Sequence, residues 1–423
     1  MPLITRTLSF ALLLLFFQPG LSLAEPDQGH RDMPEARKSN SKVHSGVARR
    51  VASSQVPNQP VESPEARLIA IYQMIGQSQT RQALALAEQL VHDQPDFALA
   101  QLVLGDLLLA QTAALPHFGN APASTGLDDL RRQSQLRLTA LRERPPPGSL
   151  PSNFVRLSRH NKHAIAIDGS RARLYLFQNH EQGPRLIADY YISVGKLGLD
   201  KSREGDLRTP LGVYFISSRL DPKTLTPYYG SGALPLNYPN VLDLRRGKTG
   251  RGIWLHGTPP GQYARAPQAS DGCVVLANAD LTKIIQTVEV RSTPVVIARQ
   301  LDWVMPAQQQ TLKVGFEQQL QAWLATRTQG SEHALTRFYA PDFESGGKKL
   351  PQWLTLLRQH DAQGSQQGLY YKDLSLLYWK DSDEILIATF GELRHGQRTG
   401  VTRRQYWRLH NGNWTIFFEG VNR

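Results

Sequence analysis

The strongest constraint on this chain lies between residues 252 and 276. Two short apolar runs, Gly252–Leu255 and Val274–Leu276, stand on either side of a loop rich in proline and glycine. Each run is bounded by turn residues and reads as a short buried strand or strand end. His256 closes the first run; Cys273 opens the second, directly after Ser270-Asp271-Gly272. If the two strands are neighbours, an imidazole and a thiol can meet at one end of a sheet. A thiol is a weak nucleophile until a base or a local positive field makes it a thiolate. His256 is the base this pattern offers, and Gly272 leaves room for backbone N–H groups to face a reacting carbonyl. Taken singly, a cysteine is most often a small buried hydrophobe and a histidine a satisfied polar residue. It is the order and context of the pair that point to chemistry.

Cys273 is the only cysteine among 423 residues, and the start of the chain makes that informative. Arg6, the apolar run Leu8–Phe17 and the small residues of Ser22-Leu23-Ala24 read as a signal peptide over residues 1–24, cleaved near Ala24. The run is short, and Pro19-Gly20 follow it too soon for a comfortable transmembrane helix, which leaves an uncleaved anchor as the minor alternative. Outside the cytoplasm structural cysteines normally come in pairs. An unpaired one is buried and inert, joined to another molecule, or kept as a reactive thiol. The net charge of +12 barely changes without the leader, whose only charged residue is Arg6. Such a surface favours polyanions. For an exported chain an acidic wall polymer or a membrane surface fits better than nucleic acid.

Residues 25–63 are polar and poor in large apolar groups, which reads as a flexible linker. From 64 to 148 the period is helical. Leu68, Ile71, Tyr72 and Ile75 form one face, Ala83, Leu84, Leu86, Ala87 and Leu90 a second, and Leu99, Leu102, Val103 and Leu107 a third. Gly76 and Pro95-Asp96 punctuate them, Leu127–Arg144 adds a basic helix, and Pro145-Pro146-Pro147-Gly148 ends the segment. Ala-rich helices separated by a proline resemble part of a tetratricopeptide repeat. So short a piece cannot bury a core alone. It is expected to pack on a neighbour, recruit a protein partner or form a homodimer.

From 153 to 299 the pattern changes to strands. His163–Asp168 and Arg173–Phe177 alternate around Gly169-Ser170, Leu186–Val194 gives a third strand, and Val288–Ala298 is expected to close the domain. Tyr228–Leu244 is a loop before the histidine strand, so Tyr228 and Tyr229 are candidate rim residues. Gly247-Lys248-Thr249 is not a phosphate loop, because Leu242 occupies the place of its first glycine. His160 and His163 fall on a strand pattern with no third ligand, so no metal is expected. Residues 308–423 begin with helices (Phe316, Leu320, Trp323 and Leu324; then Trp353–Leu357) and end in strands at Leu374–Tyr378, Ile385–Arg394, Thr402–Leu409 and Trp414–Phe418. Asp381-Ser382-Asp383 and Asn411-Gly412-Asn413 are the turns. Helices followed by a curled antiparallel sheet suggest an α+β cone, similar to a nuclear-transport-factor-two-like domain.

Within residues 158–299, His256-Gly257 followed by Ser270-Asp271-Gly272-Cys273 resembles the L,D-transpeptidase catalytic domain family (YkuD-type). Gly195-Lys196 and Gly205-Asp206-Leu207-Arg208-Thr209-Pro210-Leu211-Gly212 match a second signature of that family; these are expected to be scaffold. The resemblance implies a mostly-β enzyme acting on peptidoglycan stem peptides without a cofactor. Cys273 would be the nucleophile and His256 the base. A backbone carbonyl, of Gly257 or Ser270, would orient the imidazole, and N–H groups near Gly272 and Cys273 would hold the oxyanion. Two positions depart from the family pattern: Asp271 stands where many members have histidine, and Val275 where many have an arginine that helps hold the substrate. The expected fold is therefore multidomain, with an N-terminal helical tetratricopeptide-like segment, a central mostly-β L,D-transpeptidase-like domain and a C-terminal α+β cone. That order resembles the cell-shape-determining L,D-carboxypeptidases, which makes hydrolysis a rival to cross-linking; the signal peptide, cleaved near Ala24, makes the periplasm the expected location. A non-catalytic wall-binding module and a cysteine peptidase of unrelated fold are the other classes; the intact Cys-His pair counts against the first, the Gly-Asp-x-x-Thr-Pro stretch against the second.

Overall fold

The computed structural model describes residues 63–422 apart from 115–116, 121–123, 330 and 363–367. The expected signal peptide and all but the last residue of the expected linker lie outside the described residues. Four helices come first: α1 (Pro64–Gly76), α2 (Thr80–Asp93), α3 (Ala98–Leu109) and α4 (Thr125–Arg142). Ser63 and Ser124 cap α1 and α4, accepting the N–H groups of Ala66 and Leu127 at 3.2 Å each. Leu68, Ile71, Ala83, Ala87, Leu90, Leu99 and Val103 are buried together, as their spacing predicts, while Ile75 is left exposed near the end of α1. These short helices do not close a core among themselves. Their apolar face takes in Tyr263 and Ala277 from the next domain, with the Phe97 and Tyr263 rings 4.0 Å apart.

The central domain is built on a five-stranded sheet. In chain order its region holds β1 (Phe154–Arg156), β2 (His163–Asp168), β3 (Arg173–His180), β4 (Gly183–Tyr191), β5 (Val194–Gly195), β6 (Gly212–Phe215), β7 (Ala233–Pro235), α5 (Val241–Arg245), β8 (Trp254–His256), β9 (Gln268–Ser270), β10 (Val274–Val275), α6 (Asn278–Thr287) and β11 (Pro294–Ala298). The sheet order is β4-β3-β2-β11-β6; β2 and β11 are parallel and the other neighbours antiparallel. Every residue of β2 is buried, because both faces of the sheet are covered. Ile165 and Ile167 face one core, with Leu234, Leu255, Val274 and Leu276. Ala164 and Ala166 face another, where small side chains let a second sheet approach.

That second sheet is C-terminal. Helices α7 (Gln310–Gln329), α8 (Glu332–Thr336) and α9 (Leu350–Ala362) precede strands β12 (Leu369–Lys380), β13 (Glu384–Arg394), β14 (Val401–His410) and β15 (Asn413–Asn422). One face, through Leu377, Trp379, Ile385, Ile387, Tyr406 and Phe417, packs on the central sheet. The other holds Phe316, Leu320 and Trp323 of α7. The turn between β14 and β15 puts Asn411 and Gly412 at φ 47° and 79°, which Asn-Gly accommodates.

Two expectations fail. The central domain does not begin at 153: β1 pairs antiparallel with β12 and is the edge strand of the C-terminal sheet. Its apolar residues satisfy either sheet, so the alternation does not say which. Nor is Val288–Ala298 one strand. A helix that the sequence reading missed, α6 (Asn278–Thr287), ends at Val288, and only Pro294–Ala298 pairs. Leu281 and Ile284 lie three apart on its buried face, a period hidden by the apolar runs around it.

The helical segment is fastened to the central domain by a buried charge cluster. Glu65 accepts from Arg137 Nε at 2.9 and 3.0 Å and from Arg173 Nη1 at 3.2 Å. Against burial, which would raise it, the two guanidinium groups hold the Glu65 carboxyl below its ordinary range. Removing one partner of such a cluster strands the other charges. Glu65→Ala is expected to lower the unfolding free energy by about 3 kcal/mol, measured by denaturant titration. Asp128→Ala, which breaks only an exposed pair with Arg131, should cost under about 1 kcal/mol.

Candidate active site

The site lies on the small sheet β10-β8-β7 that covers the central sheet. Strands β8 and β10 are parallel, with Leu255 opposite Val274 and His256 opposite Val275. Leu255, Val274 and Leu276 point into the core. Strand alternation therefore puts Trp254, His256, Cys273 and Val275 on the opposite face. Cys273 directly precedes β10; continuing the register by one residue sets it beside Trp254, an offset of two residues from His256, roughly 7 Å of strand rise. The Tyr229 ring spans that offset: its centroid is 4.8 Å from Trp254 and 5.0 Å from His256.

The His256 Nδ1 lies 2.7 Å from the Gly257 carbonyl oxygen. A carbonyl only accepts, so Nδ1 carries the proton and Nε2 keeps its lone pair. Of the two carbonyls considered from sequence, Gly257 makes this contact; the Ser270 carbonyl accepts the Lys196 N–H instead, at 2.7 Å. Burial pulls His256 down to about 4, with the Arg265 charge acting the same way. Burial pushes the Cys273 thiol up to about 11, opposed by the Trp254 N–H that faces the sulfur. At neutral pH the pair is thus a thiol and a neutral imidazole. At rest the thiol donates to the Gly252 carbonyl at 3.4 Å.

The turn that ends in Cys273 is held from two sides. Ser270 Oγ accepts the Gly272 N–H at 3.1 Å and donates to the Cys273 carbonyl at 2.6 Å. Thr209 Oγ1 donates to the Gly272 carbonyl at 2.9 Å and accepts the Gly195 N–H at 2.9 Å. Gly272 has φ 129°, and a Cβ there would sit 2.7 Å from the Arg208 carbonyl oxygen, so only glycine fits. The Gly272 N–H is therefore engaged and is not a free oxyanion donor. The Cys273 N–H has no protein acceptor among the described residues and is the donor left at this turn.

The remaining rim residues fall into place around this turn. Tyr228 stacks 5.8 Å from the His256 ring, and Asp271 is exposed and paired with Lys196 at 2.9 Å. The expected scaffold motif acts through hydrogen bonds. Against burial, Lys201 and the N–H groups of Arg203, Ser202 and Arg208 hold the Asp206 carboxyl at about 2, and so shape the loop that delivers Thr209. His160 and His163 diverge, to Asp373 and Glu289 respectively. Among the described residues no cluster of His, Cys, Asp or Glu is arranged to hold a metal ion.

Sequence reasoning missed two residues here. Asn278 Oδ1 accepts the Ser231 N–H at 2.8 Å and its Nδ2 donates to the Thr258 carbonyl at 2.8 Å, tying the tyrosine loop to the end of β8. A Cβ on Gly257 would lie 2.0 Å from Asn278 Oδ1, which explains the glycine after the histidine. Arg265, from the loop between β8 and β9, is 7% exposed and donates to the Tyr228 hydroxyl at 3.0 Å. Neither belongs to a recognisable local pattern; the polar residue shortly after the apolar run was the only signal for Asn278.

The buried imidazole links site and stability. The unfolded chain takes up a proton on this histidine near 6.5, the folded chain only near 4. The unfolded state therefore binds more protons in that window, and stability falls as pH drops from 6.5 to 4. The drop attributable to His256 should approach about 3 kcal/mol. Denaturant titrations at several pH values should show it, and His256→Gln should remove it.

Comparison with known proteins follows the same lines. Residues 162–297 match the family model YkuD, L,D-transpeptidase catalytic domain. A search of curated proteins gave no match. Among solved structures, Bd1075 of Bdellovibrio bacteriovorus superposes with a TM-score of 0.55 at 21% identity, over 64% of this chain and 98% of that one. The helical cell shape determining protein Pgp2 of Campylobacter jejuni aligns with a TM-score of 0.49 at 23% identity, over 64% of this chain and 96% of that one. The first likeness is one of fold. The span from β2 to β11, with the His256–Gly257 strand and the Cys273 turn inside it, is the part of this chain that matches the L,D-transpeptidase catalytic domain family (YkuD).

Proposed function

We propose that the protein is a periplasmic cysteine acyltransferase acting on peptidoglycan stem tetrapeptides, which it cleaves between meso-diaminopimelate and the terminal D-alanine. The observation that carries this is the Nδ1 contact to the Gly257 carbonyl on the strand beside the only cysteine, since it leaves Nε2 free as a base toward the thiol's face. His256 Nε2 takes the Cys273 proton as sulfur attacks the carbonyl carbon at the L-centre of diaminopimelate. The Cys273 N–H donates to the developing oxyanion. The C–N bond breaks, D-alanine leaves with the proton from His256, and a thioester remains. An amine or a water molecule then attacks that thioester, gives its proton to His256 and releases the thiol. An amine completes an L,D-transpeptidation.

Water as the acceptor, giving an L,D-carboxypeptidase, is the second reading. It is favoured by the order of a helical segment, this catalytic domain and a C-terminal α+β domain, an order that resembles the cell-shape-determining L,D-carboxypeptidases. Under either reading the C-terminal domain, taken as nuclear-transport-factor-two-like, and the helical segment serve the wall-facing enzyme rather than a nucleic acid.

Residues 25–423 incubated with disaccharide-tetrapeptide and analysed by mass spectrometry separate the readings. Tripeptide alone means hydrolysis; dimers joined through two diaminopimelates mean transpeptidation. Intact substrate with binding retained would leave only a wall-binding module. Cys273→Ala is expected to lower turnover by more than about 10³-fold. Because the active form holds one proton between a thiol near 11 and an imidazole near 4, kcat/KM should be flat through neutral pH and fall only toward those limits. A bell centred between pH 5 and 7, measured by initial rates (roughly the profile of a free imidazole), would contradict this assignment.

A further inference from the structure

Arg265 is anomalous among the buried arginines. Arg67, Arg137, Arg173, Arg327, Arg394 and Arg403 are all within ion-pair distance of a carboxylate. Arg265 is as deeply buried and pairs with none among the described residues. Asp271, whose charge acts on the same thiol as that of Arg265, is taken by Lys196 at 2.9 Å. A buried cation without a counter-charge is unfavourable unless an anion completes it.

The side chain is also held in place for such an anion. Its backbone carbonyl accepts from the Tyr191 hydroxyl at 2.9 Å. Its guanidinium lies 4.6 Å from the Tyr228 ring centroid, and Nη1 donates to the hydroxyl of that same residue. Tyr228 in turn packs against His256. The guanidinium therefore sits on the imidazole side of the site, and its charge reaches both His256 and Cys273. Val275, where many family members carry an arginine, brings no charge to the His256–Cys273 face.

We propose that Arg265, braced by Tyr228, binds the terminal carboxylate of the residue that leaves, and so restricts the site to stem peptides ending one residue beyond the scissile bond. This rests on the acyl-transfer reading above. The leaving amine takes its proton from His256, and its carboxylate is carried on the adjacent carbon. A cation beside His256 is thus placed for that carboxylate rather than for the second carboxylate of diaminopimelate. A guanidinium offers a planar pair of donors that fits a carboxylate on two oxygens.

The test compares three substrates with the full mature chain: the tetrapeptide acid, its terminal amide, and a tetrapeptide amidated on the free carboxylate of diaminopimelate. The wild type is expected to lose at least about 50-fold in kcat/KM on the terminal amide and to change little on the other. In Arg265→Ala the acid-to-amide ratio should collapse toward one, and Arg265→Lys should restore part of it. A purely structural role would lower both rates together and leave the ratio intact, which overturns the assignment. Equal turnover of acid and terminal amide by the wild type overturns it without any variant, as does a penalty confined to the diaminopimelate amide. A wild type inactive on all three overturns both this inference and the function it rests on, whereas activity on the acid preserves that function whatever the ratio.

Discussion

Two hydroxyl groups hold the turn that leads into the single cysteine. Ser270 ties Gly272 to Cys273 from within, and Thr209 ties Gly272 to Gly195 from a loop more than sixty residues earlier. Both glycines are closely approached: a Cβ on Gly195 would lie 2.4 Å from the Leu207 carbonyl oxygen, as one on Gly272 would meet that of Arg208. The two signature segments are therefore one object. The close backbone approach and the two hydroxyls together fix the turn before β10 and leave the Cys273 N–H with no protein acceptor among the described residues.

The same economy governs His256. Its tautomer depends on a carbonyl one residue away, and the peptides on either side of that carbonyl are held by the Tyr229 carbonyl, which accepts the Gly257 N–H at 3.0 Å, and by Asn278, which donates to the Thr258 carbonyl. The tyrosine loop is therefore more than a rim. Behind it stands the helical segment, with Phe97 on Tyr263 and the Arg137 guanidinium 3.7 Å from the Tyr191 ring centroid. Glu65, Arg137, Tyr191 and Arg265 form a chain of contacts from the first helix to the edge of the site. A helical piece that cannot close its own core has been used to brace the loop between β8 and β9.

Much of this was readable from local pattern. The hairpin of β2 and β3, the antiparallel C-terminal strands and their turns follow from alternation and turn chemistry. The His-Gly and Ser-x-Gly-Cys stretches stand out because a single cysteine and a strand-ending histidine are rare together. Where the reading failed, the pattern was ambiguous in itself. Phe154–Arg156 suits either of two sheets, and the buried period of α6 is masked by apolar neighbours. Gly272 was rightly marked as special, but which group its N–H serves is invisible until Ser270 folds back on it.

Sequence alone singled out the candidate pair His256 and Cys273, the succession of helical and strand segments and the glycines that tight backbone contact demands. These are local facts, carried by residue type and spacing. Tertiary structure decided the parallel pairing that puts thiol and imidazole on one face, the choice of Gly257 over Ser270, and the burial that keeps both groups uncharged. It also decided that Arg265 would be buried with no carboxylate partner among the described residues. Each of these depends on which distant segments pack together. Burial and unpaired charge are properties of a neighbourhood, and a neighbourhood exists only once the chain has folded.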